Sequence, residues 1–210
     1  MRKLFIFVLL LIAYTTHAQT ATALLPSKPA RPFKVLASVG YASPVDLSGN
    51  KSLGKAGFVY SLEPQYEIAK NVDLGARIEQ AFIQRPEYID KTYYKSALAK
   101  FTMSLVATAN YTFNVSGALK PYIGTGIGLY YVQSSNPTYT IGTTIATYPL
   151  PTTINLGGIA RLGVKFGIAH LEGAYDFVGD TSVRNTSTGL TLTGSNSYYT
   201  IKAGLRFGGR

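Results

Sequence analysis

The side chains able to do chemistry recur at alternate positions of extended stretches: Glu63, Glu67, Asp73, Arg77, Glu79, Arg161, Lys165, Glu172, Lys202 and Arg206. Charges of both signs at that spacing suit two tasks. They can pair and fill a narrow interior, or form a gate in which Glu63 exchanges partners among Arg77, Arg161 and Lys165. Serine hydrolysis needs a histidine base within hydrogen-bond reach. Beyond the N-terminal His17 the chain offers only His170, beside Gly167-Ile168. It is expected to face Lys165, at one end of its strand, so no catalytic residue and no enzyme activity are expected. With no cysteine, disulfides, thiolate metal sites and cysteine nucleophiles are excluded. One histidine and no carboxylate cluster at ligand spacing leave no expected metal or cofactor. Gly124, Gly126 and Gly128 superficially match a phosphate loop, but their strict period of two, with no following lysine, reads as strand packing.

The elements that position these groups are β-strands. From Gly57 the apolar residues Phe58, Tyr60, Leu62, Tyr66 and Ile68 alternate with Ser61, Glu63, Gln65 and Glu67. Past Lys70 the pattern resumes, with Val72, Leu74, Ala76, Ile78 and Phe82 against Asp73, Gly75, Arg77 and Glu79. A period of two means strands with one greasy and one polar face. Folding about Lys70 pairs positions whose numbers add to 140, setting Phe58 beside Phe82, Tyr66 beside Leu74, and Glu63 opposite Arg77 as an expected ion pair. A slip of one residue would disrupt both faces. Further strands are expected from Phe33 to Tyr41, Phe101 to Phe113, Pro121 to Gln133, Ile154 to Phe166, His170 to Phe177, and Tyr198 to Phe207. Gly167-Ile168 suits a two-residue hairpin turn with positive φ at the glycine. Eight strands result, joined alternately by long polar loops and tight turns.

Residues 1–18 read as a signal peptide: Arg2 and Lys3, an apolar run from Leu4 to Ala13, then Thr16-His17-Ala18 as a cleavage pattern. Residues 19–32 read as a flexible periplasmic tail, and 33–210 as the folded domain. The formal charge of +10 falls to +8 without Arg2 and Lys3 and stays basic. An exported basic chain points to anionic lipid or lipopolysaccharide phosphate and away from nucleic acid. In the long loops Lys51, Lys55, Arg85, Lys91, Lys95 and Arg184 are rim candidates for such contacts, or serve ordinary solubility.

Alternation fits a soluble barrel with its apolar face inward, or a membrane barrel with that face outward. Glycines on the polar face (Gly75, Gly124, Gly126, Gly128, Gly163, Gly204) favour the second, since they leave room inside for Tyr122, Arg77 and Arg161. Strand length and aromatics near strand ends on the apolar face agree. The expected fold is an all-β, eight-stranded antiparallel up-and-down transmembrane barrel with short periplasmic turns and long extracellular loops.

The stretches Gly57-Phe58-Val59-Tyr60-Ser61-Leu62-Glu63-Pro64, Leu74-Gly75-Ala76-Arg77-Ile78-Glu79, Pro121 to Gly128, and Ile201-Lys202-Ala203-Gly204-Leu205-Arg206-Phe207 resemble the small outer-membrane β-barrel proteins of the OmpX/OmpW-like group. The resemblance spans about residues 33–208. It implies an outer-membrane location, barrel-insertion machinery as an assembly partner, a monomer, and a structural, adhesive or envelope-protective role. The alternatives it admits are a narrow channel or carrier for small or hydrophobic solutes and a lipid A-modifying enzyme; a soluble periplasmic ligand-binding barrel stands outside it. Two departures stand out. Phe207 is followed by Gly208-Gly209-Arg210 where the family ends on an aromatic, and Pro64 falls inside a strand, where a bulge or a missing ladder bond is expected.

Overall fold

A computed structural model describes residues 32–45, 56–83, 87–89, 92–93, 100–134, 138–141, 144–147, 151–184 and 191–209. The expected signal peptide, nearly all of the tail, and the rim candidates Lys51, Lys55, Arg85, Lys91 and Lys95 lie outside them. In chain order the strands are β1 (Phe33–Pro44), β2 (Gly57–Ala69), β3 (Val72–Ile83), β4 (Glu87–Ile89), β5 (Thr92–Tyr93), β6 (Lys100–Thr112) and β7 (Leu119–Val132). There follow β8 (Thr138–Ile141), β9 (Thr144–Thr147), β10 (Thr153–Phe166), β11 (Ala169–Val178), β12 (Thr181–Arg184), β13 (Thr191–Gly194) and β14 (Tyr198–Gly208). Eight of them close into an antiparallel barrel in the order β1-β14-β11-β10-β7-β6-β3-β2, with β2 returning to β1. Closure removes the unpaired edges that an open sheet leaves.

The β2–β3 hairpin takes the expected register: Tyr60 opposes Gln80, Leu62 opposes Ile78, and Tyr66 opposes Leu74. Partners run from Leu62 with Ile78 directly to Gln65 with Gly75. Pro64 explains the interruption. Its carbonyl points at β3, 2.9 Å from where a Cβ on Gly75 would stand. The missing N–H would point the same way, so one absent donor removes the bridges at both Glu63 and Pro64. On the other side Pro64 and Glu63 keep their partners Val35 and Leu36 on β1. The register shift itself lies further on, between Glu67 and Ala69. Asn71 (φ 68°) and Gly167 (φ 57°) turn the β2–β3 and β10–β11 hairpins in the left-handed region.

The long connections depart from the expectation of plain polar loops. The one after β7 holds the β8–β9 hairpin, and those after β3 and β11 together form a four-stranded sheet in the order β12-β13-β4-β5. The alternation Thr191-Leu192-Thr193 and the β-branched residues Thr144, Ile145 and Thr147 carry a strand signal that their polar flanks mask.

Barrel strands have one apolar face outside. Phe58, Tyr60 and Leu62 are exposed, while Val59, Ser61, Glu63 and Gln65 at the alternate positions are buried. At the end bearing the long connections, Phe58, Tyr60, Phe82, Phe101 and Tyr131 form a chain of rings with successive centroids 5.9–6.5 Å apart across β2, β3, β6 and β7. At the tight-turn end Tyr111 and Phe113 meet edge to face at 5.2 Å, and Phe33, Phe166 and Phe207 stand exposed. An apolar band rimmed by aromatics is the exterior that hydrocarbon between two headgroup layers requires.

Candidate functional site: the charged lumen

Inside, parity brings Glu63 (β2), Arg77 and Glu79 (β3), Arg161 (β10), Glu172 (β11) and Lys202 (β14) into one connected network, each almost wholly buried. Glu63 does not pair with Arg77, although the register sets them opposite. Its carboxylate is held by Arg161 through two contacts of 2.5 Å, Nη1 to Oε2 and Nη2 to Oε1. Gln65 and Thr108 each donate to Oε1 at 2.8 Å. Arg77 instead donates to Glu79 two residues along its own strand and lies 3.8 Å from Glu172.

Space decides the exchange. Arg161 opposes Gly124 on β7, where a Cβ would come within 2.8 Å of the Arg161 Nε and 2.1 Å of the Asn110 Oδ1. The missing side chain lets Arg161 lie across the bore toward β2. Gly163 opens room in the same way for the Tyr122 ring, which a Cβ would meet at 2.6 Å.

Glu172 Oε2 accepts from Tyr122 at 2.8 Å and from Arg161 at 3.3 Å, and its Oε1 lies 3.1 Å from Lys202 Nζ. Glu79 accepts from Lys202 at 2.5 Å and Tyr198 at 3.1 Å. Three carboxylates and three cations therefore interlock across five strands. Such a bidentate, hydrogen-bonded arrangement satisfies buried charge by direction as well as by attraction.

Below the network, toward the tight turns, Asp73 takes Lys34 at 2.5 Å and Lys165 at 3.5 Å. Lys165 also donates to Thr112 at 2.8 Å and stands 4.9 Å from the centre of the Tyr122 ring. Arg206 is at the mouth and donates to the Gly167 carbonyl at 3.1 Å, so it belongs to the rim of the lumen more than to the ion-paired core. Above the network the interior turns apolar: Ala42, Val59, Ala81, Ile83, Val106, Val132, Ile159 and Val178 form a buried cluster toward the long connections. Tyr130 donates to Asp176 at 2.8 Å at the boundary. Arg184, on β12, is exposed.

Lys34, Tyr130, Asp176 and Tyr198 join this interior beyond the expected charge set, and the signal for them is the parity they share with Ser38, Gly128, Glu172 and Lys202. The apolar layer was equally present as Val59 and Val106 on the otherwise polar face.

His170 opposes Lys165 in the ladder, and its Nε2 lies 2.8 Å from Ser38 Oγ. That is a serine–histidine pair, but both residues are buried and the His170 Nδ1 has no hydrogen-bond partner among the described residues. A catalytic pair needs a third group that orients the imidazole through its other nitrogen. Among the described residues no group of three or more histidine, cysteine or acidic side chains is placed to hold a metal ion.

No protein-family model matches the chain, and no curated protein matches it. Among solved structures the barrel is similar to Neisserial surface protein A, with 16% identity, 83% of this chain and 95% of that one covered, and a TM-score of 0.46. It is also similar to the outer membrane protein OprG from Pseudomonas aeruginosa (13% identity, 86% and 97% covered, TM-score 0.47) and to the outer membrane enzyme PagL (16%, 81% and 97%, TM-score 0.41). The eight-stranded closure itself rests on the registers of this chain.

Proposed function

We propose that this chain is an outer-membrane β-barrel with a sealed lumen, exported by its N-terminal segment and serving a structural, adhesive or protective role in the envelope. One observation carries the reading: charges fill the interior while large apolar side chains cover the outside. Leu162 is 67% exposed and Ile127 61%, whereas Lys202 and Arg77 are each 1% exposed. A soluble ligand-binding barrel needs the opposite arrangement, because that much contiguous apolar surface does not stay dispersed in water. An apolar depression of about 840 Å³ in the outer wall, over Ala37, Ala169 and Ala203 between Phe58 and Phe207, would take acyl chains.

In this reading the tight turns and N-terminus face the periplasm, the long connections face outward, and the barrel is a monomer among lipopolysaccharide, inserted by the barrel-assembly machinery. The interlocked network and the apolar layer above it argue against a channel, since an eight-stranded bore holds little beyond its own side chains. A non-catalytic barrel fits a His170 imidazole whose Nδ1 has no orienting partner among the described residues. Two measurements test this. Cell fractionation should place the protein in the outer-membrane pellet, released only by detergent, and planar-bilayer recordings should show no discrete conductance steps. Recovery in the soluble periplasmic fraction would reject the membrane reading; stepwise conductance would reject the sealed lumen.

A further inference from the structure

We propose that the tight-turn mouth of the barrel binds a small phosphate-bearing anion. A cavity of about 310 Å³ opens there, walled by Lys34, Lys120, Lys165 and Arg206 and by the carboxylates Glu67 and Asp73. Four cations against two carboxylates leave two positive charges in excess.

The carboxylates are committed to one side. Asp73 takes Lys34 at 2.5 Å and Lys165 at 3.5 Å, and Glu67 stands 3.9 Å from Lys34. Lys120 and Arg206 meet no carboxylate among the described residues. Lys120 lies directly opposite Lys165 in the β7–β10 ladder, an arrangement of like charges that is unfavourable unless an anion sits between them. Arg206 uses Nη2 on the Gly167 carbonyl, but its Nε–H is withdrawn from solvent and has no partner among the described residues. An unsatisfied donor beside a polar cavity is what a bound oxyanion would complete. Thr112 accepts from Lys165, which leaves its own hydroxyl proton free to donate into the same space.

A phosphate ester suits this mouth better than a carboxylate. It carries up to two negative charges, matching the excess, and its tetrahedral oxygens accept from donors on several sides. Neither Glu63 nor Arg161 lines this cavity, and their buried pair fills the bore beyond it, so the site holds its ligand without passing it on. This inference concerns the bore alone and does not depend on which medium the outer wall faces.

Thermal unfolding of the full barrel in a zwitterionic detergent tests it, with inorganic phosphate or glycerol 1-phosphate titrated against chloride at constant ionic strength. Saturable stabilisation is expected; at ten times the dissociation constant the folded-to-unfolded ratio rises about 11-fold. Lys120→Gln, at an exposed position that folding does not require, should lose at least about tenfold in affinity, and Arg206→Gln should lose the response as well. Lys70→Gln, an exposed lysine of the same end outside the cavity, should respond as the wild type does. Identical midpoints in phosphate and chloride for the wild type, or an unaltered response in Lys120→Gln, would overturn the site. Nanodiscs identify the source. A response present in phosphatidylcholine and absent in phosphatidylglycerol assigns the site to lipid headgroups, and a response present in both assigns it to soluble phosphates.

Discussion

Arg161 is the side chain on which the lumen turns, because it holds Glu63 with two contacts and reaches Glu172 with a third. Removing one partner of a buried pair leaves the other uncompensated, which costs about 3–5 kcal/mol. Arg161→Ala should therefore lower the unfolding midpoint in detergent far more than Arg184→Ala, at an exposed position where a change within about 0.5 kcal/mol is expected. Equal losses would show that the network contributes no more than a surface charge. Replacing both members, Glu63→Gln with Arg161→Met, should recover part of the single-variant loss, since no lone charge is then buried. Glycines offer a matched contrast. At Gly124 a Cβ collides with Asn110 and crowds Arg161, whereas at Gly173 nothing lies within 4 Å. Gly124→Ala should destabilise by about 1–3 kcal/mol through overpacking. Gly173→Ala should be neutral or stabilise by about 0.4–1 kcal/mol, because it restricts only the unfolded chain. Chemical denaturation of the two variants side by side checks the pair, and a loss at Gly173 as large as that at Gly124 would remove the spatial argument.

At the scale of the element, the β2–β3 hairpin shows how far local pattern reaches. Two amphipathic strands and one turn admit a single register that keeps both faces whole, and that register is observed. The interruption at Glu63 and Pro64 follows from one missing N–H, and Pro64 faces outward, where other side chains fit. Pro64→Val should restore the ladder bond to β3 and raise stability by about 0.5–1.5 kcal/mol, read as a higher denaturation midpoint. An unchanged midpoint would mean that the donor finds no acceptor there. The connections behave differently. The short β4 and β13 owe their pairing to two loops that leave the barrel at separate strands, and no window of sequence contains both halves of that ladder.

For the whole molecule, orientation is the quantity to test, and the absence of tryptophan from the chain makes it measurable. Leu162→Trp places one indole on the outer wall at a position 67% exposed, and Asp180→Trp places one beyond the end of β11. In bilayers containing brominated lipid the first should be strongly quenched and the second little affected. Equal quenching would contradict a wall in contact with hydrocarbon. Because the paired charges lie inside the barrel, salt should screen them weakly. Raising sodium chloride from about 0.05 to 1 M, over which the Debye length falls several-fold, should leave the unfolding midpoint nearly unchanged.

Strand class, the spans of the eight barrel strands and the parity of their side chains were legible in the chain of residues, because a period of two is a local property that neighbouring residues express without help from the rest of the fold. So were the β2–β3 register and the membership of Glu63, Arg77, Glu79, Arg161, Lys165, Glu172 and Lys202 in a common face. Which acid meets which cation was not legible, and the expected Glu63–Arg77 pair gave way to Glu63–Arg161. Contacts across a bore depend on how eight strands tilt and stagger when they close, and on which wall positions lack a side chain. The apolar layer, the joining of β4 to β13 and the cation-rich mouth share that origin: each gathers residues from distant strands, so only closure of the barrel brings them together.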